Sequence, residues 1–477
     1  MNPASAPPLA AVPVRARRGP TAALAVPVLL FFLTLPGIAA AQEAAPVPDK
    51  GDTTWMLVST AIVLMMSLPG LALFYGGLVR AKNMLSVLMQ VLTGFSIMAL
   101  LWVICGYSLA FTGPADATAA SPFIGGLSKT FLAGITPESV AETFSRGVVI
   151  PEMAFVVFQL TFAGITPALI VGGVAERMKF PAVMLFLVGW FFLSYLPMAH
   201  MVWWWGGPSA HDAAAGFIFG RGALDFAGGT VVHINAGVGA LVAALMVGPR
   251  IGHGREQMMP HNLSFTLVGG GLLLVGWLGF NAGSNLEANG LAAQAVLNTI
   301  LAASAGALGW AGSEWALRGH PSLLGGVSGV VAGLVAVTPA AGFVGPMGAI
   351  ALGAIAGPVC LWAVVWLKAR LGYDDSLDVF GLHGVGGIVG ALLTGVFAAP
   401  ALGGSGVWDY AAGAVAPFDM GAQIVSQATG VAVCILWSAV ASWLVLAVLR
   451  ATIGLRVPQG DEREGLDLTT HGERAYS

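Results

Sequence analysis

Leu224–Gly248 reads LDFAGGTVVHINAGVGALVAALMVG, and Leu377–Gly395 reads LDVFGLHGVGGIVGALLTG. In each stretch a Leu-Asp pair precedes one histidine, His233 or His383, which leads into a Gly/Ala-rich apolar run containing VGAL. An imidazole inside a segment that crosses hydrocarbon is costly unless it is paired or faces a cavity. Two of them, at corresponding places in two similar segments, point to one site built at a repeat interface. The pattern predicts a conduit through a membrane.

Composition agrees. Hydrophobic residues make up 57% of the chain and charged residues 9%, with a mean hydropathy of +0.84. Ordinary soluble domains carry about 25% charged residues. The 66 glycines suit a helical bundle in which backbones approach closely. A net charge of −3 excludes a nucleic-acid partner of the usual basic kind. Cys105, Cys360 and Cys434 fall in apolar segments without paired or metal-ligand spacing and are expected to be small core residues. Arg15, Arg17 and Arg18, an apolar run and Ala39-Ala40-Ala41 form a secretory signal pattern over residues 1–41, cut after Ala41. A retained signal anchor is the alternative.

Eleven apolar segments are long enough to cross about 30 Å of hydrocarbon: 54–79, 84–112, 150–175, 180–203, 228–248, 263–285, 291–316, 322–342, 344–367, 380–399 and 421–449. With an external start, thirteen lysines and arginines fall in the predicted cytoplasmic gaps and tail, against four outside. The expected fold is therefore an all-α polytopic membrane protein of eleven transmembrane helices. Five spans, an inverted five and one added span accommodate the two histidine segments. The membrane domain is expected over 52–449, with a cytoplasmic tail at 450–477 that is too short for a core of its own. The expected location is the inner (plasma) membrane, N-terminus outside.

The strings GLALFYGGLVRAKN, ALIVGGVAERMKF, GALDFAGGTVVHINAG, GWLGFNAGS, GSEWALRGHPSLLG, DVFGLHGVGG and GLRVPQGDEREGLDLTTHGERAY occur in this order. Together they resemble ammonium transporters of the bacterial Amt type, a family that includes yeast Mep and animal Rh proteins. The resemblance covers the chain from about residue 52 to its end. It implies a homotrimer with one pathway per subunit, ammonium as substrate, no cofactor, and a trimeric PII signalling protein docking on the tail and basic cytoplasmic loops. The charge-mixed DEREG of the tail also reads as a merely solvated end.

Several residues match the family's site. Trp190 and Ser284 match its external recruitment site, where an indole face contributes about 0.5–2 kcal/mol of cation–π attraction and a hydroxyl accepts an N–H bond. Phe162 and Phe280 match paired gate rings, and Phe158 a further aromatic at the mouth, one turn outward on the same face. Gln159 adjoins that face as a polar waypoint. His233 and His383 match paired pore histidines, with Trp277 as a pore-lining indole. Spacing brings no third ligand, so a metal is not expected. Asp225 matches a required acidic residue near the vestibule. Eight residues before His233, it lies roughly 12 Å away on a continuous helix. It reads as a helix cap that fixes the vestibule backbone, with a transient proton acceptor as the sharper alternative. Asp378 is expected to cap the second histidine helix. Drawn naively, His233 starts near the outer end of its helix and His383 near the inner end of its own. They meet only if both helices begin recessed toward the midplane.

Two features depart from the family. The loop WWWGGPSAHDAAAGFIFGRG is longer, and its triplet Trp203–Trp205 is expected to anchor a helix end at the interface or to shape the vestibule. Glu152 at the outer end of the third span is unexpected and would raise the local cation concentration. Moving a bare cation through an apolar lumen is expensive, so the expected mechanism is deprotonation at the gate, with ammonia and proton crossing separately. The alternatives are an electroneutral ammonia channel and an ammonium sensor. No enzyme signature such as HExxH or GxSxG occurs.

Overall fold

The computed structural model describes residues 46–113 and 121–476. The expected signal peptide at 1–41 lies outside the described residues. Among the described residues, ten helices have the length and composition of membrane spans. They are spans 1 (Lys50–Leu78), 2 (Ala81–Phe111), 3 (Glu152–Val174), 4 (Phe180–Trp203) and 5 (Gly229–Val247), then 6 (Leu263–Gly283), 7 (Gly290–Arg318), 9 (Pro346–Leu371), 10 (Phe380–Phe397) and 11 (Met420–Thr452). The shorter apolar helix Leu323–Val337 is span 8 and completes the expected eleven.

Helix starts follow local chemistry. Asp49, Asn262, Asn289, Ser322 and Asp419 each accept a backbone N–H in the first turn of spans 1, 6, 7, 8 and 11. This satisfies donors that the helix itself leaves free. Spans 5 and 10 begin differently, each with a wide π-helical turn, Gly229–Ile234 and Phe380–Gly384. These turns carry the two histidines and pack against each other reciprocally. A Cβ on Gly237, four residues after His233, would lie 2.3 Å from the Gly384 nitrogen. A Cβ on Gly387, four residues after His383, would lie 3.0 Å from the Gly229 carbonyl oxygen. Only glycine lets the two backbones approach so closely. The expected recession is thus met by short helices crossing where both carry glycine.

The loops sort onto two faces. The loops after spans 1, 3, 5 and 9 are joined to one another by buried charge pairs, and the tail docks on them through hydrogen bonds. Arg80 and Arg250 both pair with Glu176, and Arg250 also pairs with Asp374 at 2.7 Å. Glu462 of the tail pairs with Arg456 at 2.8 Å and accepts from the Ile251 N–H at 2.7 Å. Asp467 accepts from the Ser86 N–H at 2.8 Å, and Tyr476 lies 3.1 Å from His261. The tail is therefore folded against the helix ends, with Glu462 and Asp467 buried. Within DEREG, Glu462 is buried against the Ile251 N–H while Arg463 and Glu464 are exposed, so the segment is docked through one carboxylate rather than solvated throughout. Burial would raise the Glu176 and Asp374 carboxyls, but the adjoining arginines outweigh it and hold both below the usual carboxylate range.

The opposite face is built from longer loops. The hairpin of β1 (Val140–Glu142) and β2 (Val149–Pro151) meets the segment 204–228 and a second hairpin, Trp408–Asp409 with Ala414–Val415. Glu142 accepts from Ser209, the Arg146 guanidinium donates to the Pro208 carbonyl, and the Tyr410 hydroxyl donates to the Phe144 carbonyl. Trp205 stacks with Phe144 and Phe219. Cys360 and Cys434 are core residues as expected, whereas Cys105 is only half-buried.

Candidate functional site

These loops surround a vestibule of about 960 Å³. Its wall includes Phe155, Gln159, Phe162, Trp203, Asp225 and Ser284. The Ser284 hydroxyl donates to the Phe280 carbonyl at 2.8 Å, which leaves its lone pairs free to accept an N–H from a ligand. Trp203 ends span 4, and its indole N–H donates to the Asp225 carbonyl at 3.0 Å. That bond holds the ring edge-on to Phe162, with centroids 5.7 Å apart.

Asp225 is the fixed point of the vestibule floor. Its two carboxylate oxygens accept from four successive backbone N–H groups, those of Gly228, Gly229, Thr230 and Val231, at 2.6–3.0 Å. These are the donors that the start of span 5 cannot satisfy internally. Gly228, at φ +112°, permits the turn that swings the carboxylate under the helix. Burial pushes the Asp225 carboxyl up to about 6 against the pull of those N–H groups. In the second half, the corresponding donor is satisfied by a different residue. The Phe380 N–H donates to Asp375 at 2.7 Å, while Asp378, at φ +61°, pairs with Lys368 instead. The expected cap by Asp378 is therefore replaced by one from Asp375.

Phe162 and Phe280 close the vestibule. Their rings stack at 4.1 Å between centroids, 19° from parallel. Both are fully buried. Directly beneath, His233 stacks on Trp277 at 5.3 Å, and the Trp277 N–H is held by the Thr338 hydroxyl at 2.8 Å. The Nδ1 atoms of His233 and His383 are 3.2 Å apart. One Nδ1 must donate and the other accept, so one ring offers an Nε2 acceptor while the other offers an Nε2–H donor. The Nε2 of His233 has no partner among the described residues. A narrow cavity of about 10 Å³ adjoins the pair, lined by apolar side chains together with Tyr75 and Trp277. Its size matches about one water-sized molecule.

Two expected site residues lie elsewhere. Trp190 is fully buried within span 4, thirteen residues before Trp203 and so roughly 20 Å deeper along the helix. It packs at Gly239 of span 5, away from the vestibule wall. Trp203 stands where an indole was expected. Phe158 is also fully buried, edge-on to Phe162 at 5.1 Å and against Gly283. Phe155, seven residues before Phe162 and so close to two whole turns, lines the vestibule instead. Gln159, Phe162, Asp225 and Ser284 line the vestibule, Phe280 stacks on Phe162, and His233, His383 and Trp277 line the narrow cavity. Tyr75 and Thr338 join them, and neither carries a sequence signal beyond lying in an apolar segment.

The profile of the Ammonium Transporter Family matches residues 54–476. The "Ammonium transporter" of Aquifex aeolicus is 45% identical over 90% of this chain and 94% of its own. A crystal structure of Saccharomyces cerevisiae Mep2 matches with a TM-score of 0.74 at 33% identity, covering 86% of this chain and 91% of that one. A solved "Sensor Amt Protein" matches with a TM-score of 0.77 at 27% identity, covering 88% and 98%.

Proposed function

The chain belongs to the ammonium transporter family, and from that premise we propose that it recruits ammonium at the vestibule, removes one proton at or below the Phe162–Phe280 gate, and passes ammonia and the proton separately along the histidine pair. It is a multi-pass membrane protein of a transporter family, not an enzyme. The observation that carries the mechanism is the contact between the two imidazoles, 3.2 Å apart beneath a stacked aromatic plug. An apolar plug stops hydrated ions. A dry lumen disfavours a bare cation by several kcal/mol. Neutral ammonia carries no such penalty, and the donor–acceptor pair of imidazoles gives the proton its own route.

Recruitment falls to Trp203, Phe155 and Gln159 with the acceptor oxygen of Ser284. The face bearing the vestibule is taken as external and the tail face as cytoplasmic, in the inner membrane, on the excess of lysine and arginine on the tail side. A homotrimer, a PII-type partner at the tail face and a cleaved signal peptide at 1–41 complete the proposal. Likeness to a solved sensor Amt protein favours one second reading, in which the same pore reports ammonium to a partner through the docked tail.

Purified protein in liposomes tests the main reading. An ammonium jump is expected to drive saturable uptake that equimolar potassium does not inhibit. Uptake that is unsaturable, or that potassium suppresses equally, would overturn it.

A further inference from the structure

At the outer edge of the recruitment site, where Phe155 borders Tyr107 and Glu152, the vestibule wall already holds a primary ammonium. The Lys129 ammonium pairs with the Glu152 carboxylate and lies 5.8 Å from the centre of the Tyr107 ring. The Tyr107 hydroxyl donates to the same Glu152 oxygen at 2.8 Å, and Phe155 stands edge-on to Tyr107 at 6.3 Å. All four side chains line the vestibule. A carboxylate backed by aromatic faces is the chemistry that binds a small ammonium ion. Lys129 supplies that ion in tethered form.

We propose that Glu152, Tyr107 and Phe155 form an outer cation subsite for ammonium and small primary ammonium ions, which Lys129 occupies until an incoming cation displaces it. This rests on the reading of the vestibule as the entry for ammonium. Span 3 makes the subsite the first step of a path. Glu152, Phe155, Gln159 and Phe162 recur at spacings of three, four and three, which sets them on one helix face running from mouth to gate. Below the subsite, the Gln159 carbonyl oxygen is buried and has no hydrogen-bond partner among the described residues, while its side chain lines the vestibule. Rotation of the Gln159 amide would turn this unused acceptor toward a cation released from Glu152.

Displacing Lys129 is inexpensive. Its side chain is 36% exposed, against 8% for Glu152, so its ammonium is readily rehydrated. The segment that carries it stays anchored without the side chain. The Lys129 N–H donates to the Ser108 hydroxyl at 3.0 Å, and that hydroxyl donates to the Gly126 carbonyl at 2.8 Å.

The test compares wild type, Lys129→Met and Lys129→Met/Glu152→Gln, with Lys129→Gln as a second single variant. Ammonium chloride is titrated against purified protein at constant ionic strength with sodium chloride. Binding is read as the rise in unfolding midpoint, and uptake into liposomes is read separately. Lys129→Met is expected to lower the half-saturating ammonium concentration three- to tenfold, and adding Glu152→Gln to abolish the gain. Half-saturation that is unchanged or raised in the lysine variants overturns the subsite, as does loss of folding in both, which would make the pair a brace. If wild type binds with this pattern but transports nothing, the transport reading fails and the subsite stands. If it transports while Lys129→Met binds no tighter, the reverse holds.

Discussion

Asp225→Ala is expected to destabilise the protein by roughly 4 kcal/mol and to remove transport. The substitution strips the acceptor from four buried N–H groups at once. Leaving one such group unsatisfied costs about 1–3 kcal/mol. The helix offers these donors no substitute, because they belong to its first turn. Loss of the cap also frees the backbone to which Trp203 is hydrogen-bonded, so the aromatic wall of the vestibule loosens with it. Thermal unfolding in detergent and uptake in liposomes measure the two effects. Asp225→Asn separates the roles. It keeps one acceptor oxygen, so a pure cap predicts intermediate stability with most transport retained. A required proton acceptor predicts the same intermediate stability but no transport.

Arg250→Ala is expected to cost about 3–5 kcal/mol, the usual penalty for removing one partner of a buried charge pair. Arg250 is the common partner of Glu176 and Asp374, both fully or almost fully buried, and the alanine would leave each short of charge compensation. Its neighbour Ile251 contacts Glu462, so tail docking weakens too. The sign with pH follows from the same arginines. They hold both carboxyls below the usual range in the folded state. Their contribution is therefore present above about pH 4 and is lost as the pH falls through the folded values. Wild type should lose unfolding temperature and tail protection against protease on acidification below that point. Arg250→Ala should show a low midpoint at neutral pH and little further loss in acid. A neutral-pH midpoint equal to wild type would contradict the role given to this network.

The spans and the histidine pair were legible because hydrophobic length and an ionisable residue inside hydrocarbon are strong, local signals. The gate pair Phe162 and Phe280 rested on family resemblance, since a phenylalanine in a span is indistinguishable from packing until its partner is known. Trp190 against Trp203 shows where such matching slips. Both are tryptophans of span 4, but a vestibule residue must lie at the vestibule end of its span, and helix rise places only Trp203 there. Phe158 differs from Phe155 in direction rather than depth: it packs on Phe162 while Phe155 lines the vestibule, four residues being a poorer repeat of the helical turn than seven. The docked tail and the cap by Asp375 were not legible. They depend on which loop donors a carboxylate reaches across the fold, and no spacing along the chain encodes that.

The central claim is that ammonium enters as a cation and that its proton and ammonia both cross along the His233–His383 pair. The most direct test is the transient current of purified protein in liposomes after an ammonium jump on the vestibule side, for wild type and for His233→Ala/His383→Ala. The account predicts an inward positive current in wild type that disappears in the double variant. A current of equal size without the imidazoles, or a wild type that alkalinises the lumen without any current, would contradict it.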